Sequence, residues 1–336
     1  MNIAINGFGR IGRAAFKAIL EKNSKIKVAA INDLTDTKTL AHLLKYDSVY
    51  GRYKKSVNFT KDCLIVAGKK YRILAEKDPS QLPWKEMGVD LVLECTGRFR
   101  TKDEAMAHIK AGAKKVIISA PAKTENVKTI VPGVNEKIIK KSDKVLSMAS
   151  CTTNCLAPVV EVMRQNFGVK KALMTTVHSY TADQNIVDGP HKDLRRARAA
   201  AVNIVPTTTG AAIATTKAIP GLKGKFDGMA IRVPTPVVSL CDIVFITNKK
   251  TDEKKVNFAF KKASRSASLK NILFVSDEPL VSSDYIGNPA SAIVDLDLTK
   301  VVGGDLVKVV AWYDNEWGYS TRLAELTEYI SRKKLL

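Results

Sequence analysis

The sequence predicts a mixed α/β protein of two domains, the first built on a doubly wound parallel sheet and the second an α+β domain with a largely antiparallel sheet. Three observations carry this expectation. Short β-rich runs alternate with helical patterns in the N-terminal half, at Asn2–Asn6, Lys27–Ile31, Asp90–Glu94 and Lys115–Ser119, as parallel strands joined by crossover helices do. After Cys151 the β-rich runs lengthen, at Ala172–Tyr180, Met229–Val233, Asp242–Thr247 and Leu306–Tyr313, with fewer helical patterns between them, which favours antiparallel pairing. A chain of 336 residues also exceeds an ordinary single domain, so two domains sharing a cleft are expected.

The boundaries follow from the change of pattern: residues 1–150 for the first domain and 151–315 for the second, with a C-terminal helix over 316–336 packing back on the first. Between the first two β-rich runs, Ile11, Ala15, Ala18 and Ile19 recur at three- and four-residue spacing, one apolar stripe of a helix laid on a sheet. Leu323, Leu326 and Ile330 give the last segment the same character. No repeat or low-complexity linker interrupts the chain.

Composition narrows the classes. Apolar residues at 45% and charged residues at 26% fit a soluble globular protein. No apolar stretch approaches bilayer-spanning length, and the first residues already read as strand and turn, so neither a membrane span nor a signal peptide is expected. Five cysteines, an odd number spread over the chain, fit reduced thiols in the cytoplasm better than a disulfide framework. The excess of 54 Lys+Arg over 33 Asp+Glu, a net charge of +21, has two readings. Scattered lysines cover solvated faces and steer phosphorylated metabolites; a nucleic acid or another polyanion is the secondary partner.

Gly7-Phe8-Gly9-Arg10-Ile11-Gly12 stands directly after a β-rich run and opens a helical one. That is the context of a Rossmann-type dinucleotide cradle: Gly7 for a tight turn, Gly9 for backbone approach to a pyrophosphate, Gly12 for close helix–strand packing. Asp33, 21 residues beyond Gly12, suits ribose hydroxyls and repels a 2′-phosphate, which favours NAD over NADP; its other reading is a cap for the helix that follows. Cys95-Thr96-Gly97 ends another apolar run and falls along the same crevice.

Ser150-Cys151-Thr152-Thr153-Asn154-Cys155 precedes an amphipathic pattern, placing Cys151 at a helix N-terminus, where the dipole lowers a thiol pKa. The bland reading of such a cysteine is a small buried hydrophobe. No zinc spacing accompanies it, and no metal is expected. Of four histidines, His178 is the best candidate base, because it ends an apolar run and opens a Gly/Asp/Arg-rich loop; a merely structural histidine is the other reading.

The runs INGFGRIGR, ASCTTNCLAP, TVHSYTADQ, HKDLRRARAAA, PTTTGAA, RVPTP and WYDNEWGYS resemble glyceraldehyde-3-phosphate dehydrogenases in order and spacing over nearly the whole chain. The resemblance implies an NAD-dependent, phosphorylating aldehyde oxidation through a Cys151 thioester with His178 as base, in a cytoplasmic homotetramer. It implies that Thr181 and Arg232 hold the phosphate of glyceraldehyde 3-phosphate, that Ser150, Thr152, Thr209 and Gly210 hold attacking inorganic phosphate, and that Arg196 also serves phosphate binding. Arg10, Ile11, Lys77, Ser119, Asn315 and Tyr319 join the cofactor contacts, with Asn315 on the nicotinamide carboxamide. Three positions depart from the family pattern: Met148 for asparagine, Gly189 for leucine before Pro190, and Lys77 for arginine. Gly189 leaves NADP tolerance open. Alternatives are erythrose-4-phosphate dehydrogenase, a relative differing at the anion sites, and polyanion binding through Arg195, Arg196 and Arg198.

Overall fold

The computed structural model describes residues 1–22 and 25–336, and contacts divide the chain into two compact units. Unit 1 comprises 1–130, 136–149 and 320–336; unit 2 comprises 131–135 and 150–319. Among the described residues no helix is long and apolar enough to cross a membrane.

Unit 1 holds strands β1 (Asn2–Asn6), β2 (Lys27–Asn32), β3 (Tyr46–Asp47), β4 (Gly51–Arg52), β5 (Val57–Phe59), β6 (Cys63–Val66), β7 (Lys69–Leu74), β8 (Leu91–Glu94), β9 (Lys115–Ile118), β10 (Lys128–Thr129) and β11 (Val145–Ser147). Its helices are α1 (Arg10–Glu21), α2 (Thr37–Lys45) and α3 (Lys102–Lys110). The nine-stranded sheet runs β10-β11-β9-β8-β1-β2-β7-β6-β5. It is parallel from β10 to β7, and the β7-β6-β5 edge is antiparallel. That meander was not anticipated: its apolar run, Cys63–Val66, is only four residues long, and the following strand mixes Lys69, Lys70 and Arg72 with Tyr71, Ile73 and Leu74. β8, β9 and β11 are buried throughout, as central parallel strands covered on both faces are.

Local chemistry sets the helix starts. Asp36 caps α2 by accepting from Thr39 N at 2.9 Å, so the helix after β2 is capped by Asp36 and not by Asp33. Thr101 and Glu104 form a reciprocal capping box on α3. On α1 the cap is Gly9, with no side-chain bond, so no capping side chain stands where an anion would meet the first turn. The α1 stripe buries Ala15, Ala18 and Ile19.

Unit 2 holds α4 (Cys151–Phe167), β12 (Val169–Ser179), β13 (Val205–Thr208), α5 (Ala211–Ala218), β14 (Phe226–Val233), β15 (Ser239–Thr247), α6 (Glu253–Ser264), β16 (Leu273–Ser276), β17 (Ala292–Val302) and β18 (Leu306–Tyr313). The sheet order is β13-β14-β12-β15-β18-β17-β16, antiparallel except for β12–β14 and β16–β17. Its core joins Cys155, Val159 and Met163 of α4 to Ile243, Phe245 and Val309 of the sheet. The last helix, α7 (Trp317–Arg332), begins in unit 2 and continues in unit 1 from Ser320. There it buries Leu323, Leu326 and Ile330, and Lys22 Nζ donates to Glu325 at 2.9 Å.

The glycines of the first loop are not equivalent. A Cβ on Gly12 would stand 2.1 Å from the Gly7 carbonyl oxygen, whereas a Cβ on Gly9 would meet nothing within 4 Å. Gly12→Ala is therefore expected to lower Tm by roughly 4–8 °C, about 2 kcal/mol for a unit of this size, while Gly9→Ala leaves Tm within about 1 °C. Thermal melts followed by circular dichroism decide it; equal melting of the two variants would contradict the loop packing.

Candidate active site

In unit 1 the carboxyl ends of β1, β2 and β8 border a groove of about 280 Å³ lined by Gly7, Gly9, Asp33, Lys77 and Thr96, among others. Gly7 takes a positive φ of +90°, and a Cβ there would lie 2.7 Å from Thr96 N, so only glycine lets the β1 turn rest against the β8 turn. Asp33 accepts from Phe8 N at 2.7 Å and from Thr35 N at 2.9 Å. Those bonds aim its carboxylate beside the glycine loop, with acceptor capacity to spare. Thr96 N donates to Glu94 Oε1 at 2.8 Å, Gly97 takes φ +71°, and Ser119 N donates to Glu94 O at 2.9 Å. Arg10 turns its guanidinium to Asp47 at 3.2 Å and over the Tyr50 ring, so what Arg10 and Ile11 offer an anion is the backbone at the start of α1. The open face of Gly9, the α1 terminus without a side-chain cap and the Asp33 carboxylate fit a dinucleotide pyrophosphate and ribose.

In unit 2, Ser150 caps α4: its Oγ accepts from Thr153 N at 3.1 Å. Ala149, just before it, takes a left-handed φ of +54°, a conformation that costs a non-glycine residue about 1 kcal/mol or more and recurs at functional turns. Cys151 is the first residue of α4, and its Sγ lies 3.5 Å from His178 Nε2 at the end of β12. His178 Nδ1 lies 2.6 Å from Ser179 O. Arg232 Nη1, which can only donate, also lies 3.1 Å from Nδ1. The carbonyl is the closer neighbour and can only accept, and Nη1 has Ser179 O and Thr181 Oγ1 for its two protons, so Nδ1 carries the proton and Nε2 presents its lone pair to sulfur.

Arg232, paired with His178 across the β12–β14 register, donates from Nη1 to Ser179 O at 3.0 Å and to Thr181 Oγ1 at 3.4 Å. Its buried Nε finds no hydrogen-bond partner among the described residues, the arrangement of a donor that serves an anion. Arg196 donates from Nε to Thr207 Oγ1 at 3.0 Å and from Nη2 to Thr208 O at 3.1 Å, and its Nη1 pairs with Asp183. This brings Arg196 to the segment holding Thr209 and Gly210, which opens α5. Thr209 Oγ1 accepts from Ala211 N at 3.2 Å.

Thr152 is buried, with its hydroxyl 2.9 Å from Tyr313 OH, which also meets Thr176 Oγ1 at 2.9 Å. Its side chain braces the start of α4 against β18 and β12, leaving the N–H as its direct offering to an anion. Asn315 accepts from Ser239 Oγ at 3.0 Å, which turns its Nδ2 into the donor for a ligand; Tyr319 is buried in the first turn of α7. Sequence reasoning did not find Tyr313, Asp183 or the Glu94 contacts. Asp183 lies inside the run TVHSYTADQ, and its proximity to an arginine-rich loop was the one available signal.

Burial pushes the Cys151 thiol up to about 11, against the pull of Arg232 and of Thr152. Burial and the Arg232 charge hold His178 down to about 3. Neither group ionises by itself. Moving the proton from Sγ to Nε2 creates two opposite charges 3.5 Å apart, and each then stabilises the other.

A dinucleotide cradle in one unit and a thiol–imidazole pair beside an anion-seeking arginine in the other define a thiol-dependent oxidoreductase that uses a nicotinamide dinucleotide. Known proteins make this specific. The model described as "Glyceraldehyde 3-phosphate dehydrogenase, NAD binding domain" matches residues 1–102, and "Glyceraldehyde 3-phosphate dehydrogenase, C-terminal domain" matches 150–315. Glyceraldehyde-3-phosphate dehydrogenase of Geobacillus stearothermophilus is 56% identical over 336 residues, covering 100% of this chain and 99% of its own length. That of Streptomyces coelicolor is 54% identical over 334 residues, 99% of both. The chloroplastic glyceraldehyde-3-phosphate dehydrogenase A of Chlamydomonas reinhardtii is 52% identical over 335 residues, 99% of this chain and 89% of its own. The chain belongs to the glyceraldehyde-3-phosphate dehydrogenase family, and its cofactor is NAD.

With His178 gone, the thiol keeps its raised pKa and its thiolate grows about tenfold per pH unit below that value. His178→Asn should therefore react with iodoacetamide at pH 7 at least about tenfold more slowly than the parent, recovering as pH rises. An unchanged alkylation rate at pH 7 would remove His178 from thiol activation.

Proposed function

We propose that the chain oxidises and phosphorylates D-glyceraldehyde 3-phosphate to 1,3-bisphosphoglycerate, with Cys151 as nucleophile and His178 as base. The observation that carries the reading is the 3.5 Å approach of Cys151 Sγ to a His178 Nε2 fixed as acceptor by Ser179 O. His178 takes the thiol proton as sulfur attacks the aldehyde carbon and hands it to the carbonyl oxygen, giving a hemithioacetal. When bound, NAD supplies the hydride acceptor. Loss of hydride, with the hydroxyl proton passing to His178, leaves a thioester on Cys151; an oxygen of inorganic phosphate then displaces sulfur to give the acyl phosphate, and the imidazolium returns the proton that restores the thiol.

Arg232 and Thr181 hold the substrate phosphate. Ser150, the Thr152 N–H, Thr209 and Gly210 hold the attacking phosphate, with Arg196 beside them. Arg232 and Arg196 both lower His178. An anion that neutralises them raises its basicity, so substrate binding itself favours the proton transfer. This division agrees with a donor fork left partly unpaired at Arg232.

The protein acts as a homotetramer in the cytoplasm. Supporting self-association, the strand register sets Leu173, Met229, Ile246 and Leu306 on one face of the unit 2 sheet, all exposed, with Leu173 at 65%. In the loop after His178, Ile186 is 84% and Leu194 81% exposed. Apolar surfaces of this kind belong to association interfaces. Sedimentation giving a monomer at micromolar concentration would contradict it.

The test of the reaction is a phosphate-dependent NADH assay with glyceraldehyde 3-phosphate and erythrose 4-phosphate in parallel; preference for the latter would transfer the reading to that relative. Cys151→Ser should abolish oxidation and keep NAD binding, and retention of more than about a tenth of the rate would exclude Cys151 as nucleophile. In stopped flow, Thr181→Ala should raise the aldehyde KM. Thr209→Ala should raise the phosphate requirement and spare the first burst of NADH. The reverse pattern would exchange the two sites. NAD should exceed NADP by at least about tenfold in kcat/KM, since a 2′-phosphate beside the Asp33 carboxylate is repelled; parity would show that Gly189 has reshaped the ribose pocket.

A further inference from the structure

Beneath the nucleotide groove of unit 1 lies a buried polar chain that the proposed chemistry does not use. Glu94, at the end of β8 and 1% exposed, is its centre. Glu94 Oε2 accepts from Asn6 Nδ2 at 2.6 Å, and Glu94 Oε1 accepts from Thr96 N at 2.8 Å and from Thr96 Oγ1. His108 of α3, fully buried, places Nε2 3.0 Å from Glu94 Oε2 and accepts at Nδ1 from Trp84 Nε1 at 3.0 Å. An indole N–H can only donate, so Nδ1 is the acceptor and Nε2 carries the proton toward Glu94. Every group around the carboxylate is then a donor. On the far side, Asn6 Oδ1 accepts from Asn32 Nδ2 at 2.7 Å, and Asn32 exchanges bonds with Glu76 N at 2.9 Å and Glu76 O at 2.8 Å.

Asn6, Asn32, Glu76 and Thr96 all line the groove, from four separate segments. Buried polar groups are costly unless satisfied, and here the bonds join the ends of β1, β2 and β8 with the turn after β7. We infer that Glu94 is a positioning residue for NAD binding: its two oxygens hold Asn6 and the Thr96–Gly97 turn in register, so that the groove is formed before the cofactor arrives. His108 and Trp84 fix the carboxylate from behind. The inference rests on NAD as the cofactor of this groove.

The decisive feature is donor–acceptor parity, which an exchange of two side chains tests. Glu94→Gln keeps the shape but sets an NH₂ against a donor in either amide orientation, Asn6 and His108 on one side or Thr96 N on the other. NAD Kd, measured by titration, should rise at least about tenfold, and kcat at saturating NAD should stay within about twofold. Adding Asn6→Asp reverses the pair: a carboxylate oxygen at position 6 can accept from the new amide and from His108 Nε2, which lies 3.4 Å from Asn6 Nδ2 in the parent. The double variant should bind NAD within about threefold of the parent, since parity is restored. Unchanged affinity in Glu94→Gln overturns the inference. So does a double variant that fails to recover or fails to fold. If Glu94→Gln alone does not fold, recovery of fold and affinity in the double variant supports it. Parent protein that does not bind NAD overturns the cofactor reading, and this inference with it, a result distinct from a parent that binds and a variant that binds equally well.

Discussion

The site depends on a half-buried thiol and a buried imidazole set 3.5 Å apart. Desolvation makes each reluctant to carry charge alone, so the proton moves between them rather than out to solvent. Two elements of unit 2 impose the distance: α4 starts at Cys151, and β12 ends with His178 and Ser179. The Ser179 carbonyl then selects the imidazole tautomer. Arg232 is drawn to the same carbonyl from the neighbouring strand, so one backbone oxygen orients both the imidazole and the guanidinium. Backbone strain also occurs nearby. Ala149 and the β-branched Val238 both adopt left-handed φ, and the Val238 carbonyl accepts from Ser179 Oγ at 2.7 Å.

Unit 1 solves a different problem, the recognition of a dinucleotide by backbone. Parallel strands end together, so the turns after β1, β2 and β8 meet on one side of the sheet. Two glycines serve packing and one serves access: Gly7 and Gly12 lie against backbone that no Cβ could clear, while Gly9 faces open space. Asp33 is held by two N–H groups and is not spent on the next helix. Below these turns, Asn6 and Glu94 turn what would be an apolar sheet end into a hydrogen-bonded floor.

The +21 charge acts at longer range. Many of its lysines are exposed on helix and hairpin surfaces, as at Lys69, Lys70, Lys254 and Lys255, where water and salt screen them. Arg232 and Arg196 are instead partly buried: Arg232 is held by Ser179 and Thr181, and Arg196 is clamped by Thr207, Thr208 and Asp183.

Sequence alone determined the local features. The glycine spacing after β1, the apolar stripe of α1, Cys151 at a helix start and the switch from alternating to longer β-rich runs are all set by contiguous residues. The long INGFGRIGR and ASCTTNCLAP runs made the family legible. It did not reveal the β5–β7 meander, whose strands are three to six residues long, or strand β17, nor that the Thr152 hydroxyl meets Tyr313. The tertiary structure decided which groups share a low-dielectric environment and which donors meet which acceptors. Cys151 and His178 are 27 positions apart, Asn6 and Glu94 are 88, and Thr152 and Tyr313 are 161. A helix or a glycine turn is encoded within a few residues because it depends on local backbone conformation. The ionisation of a thiol depends on solvent excluded by distant segments, and that quantity exists only once the chain has closed around it.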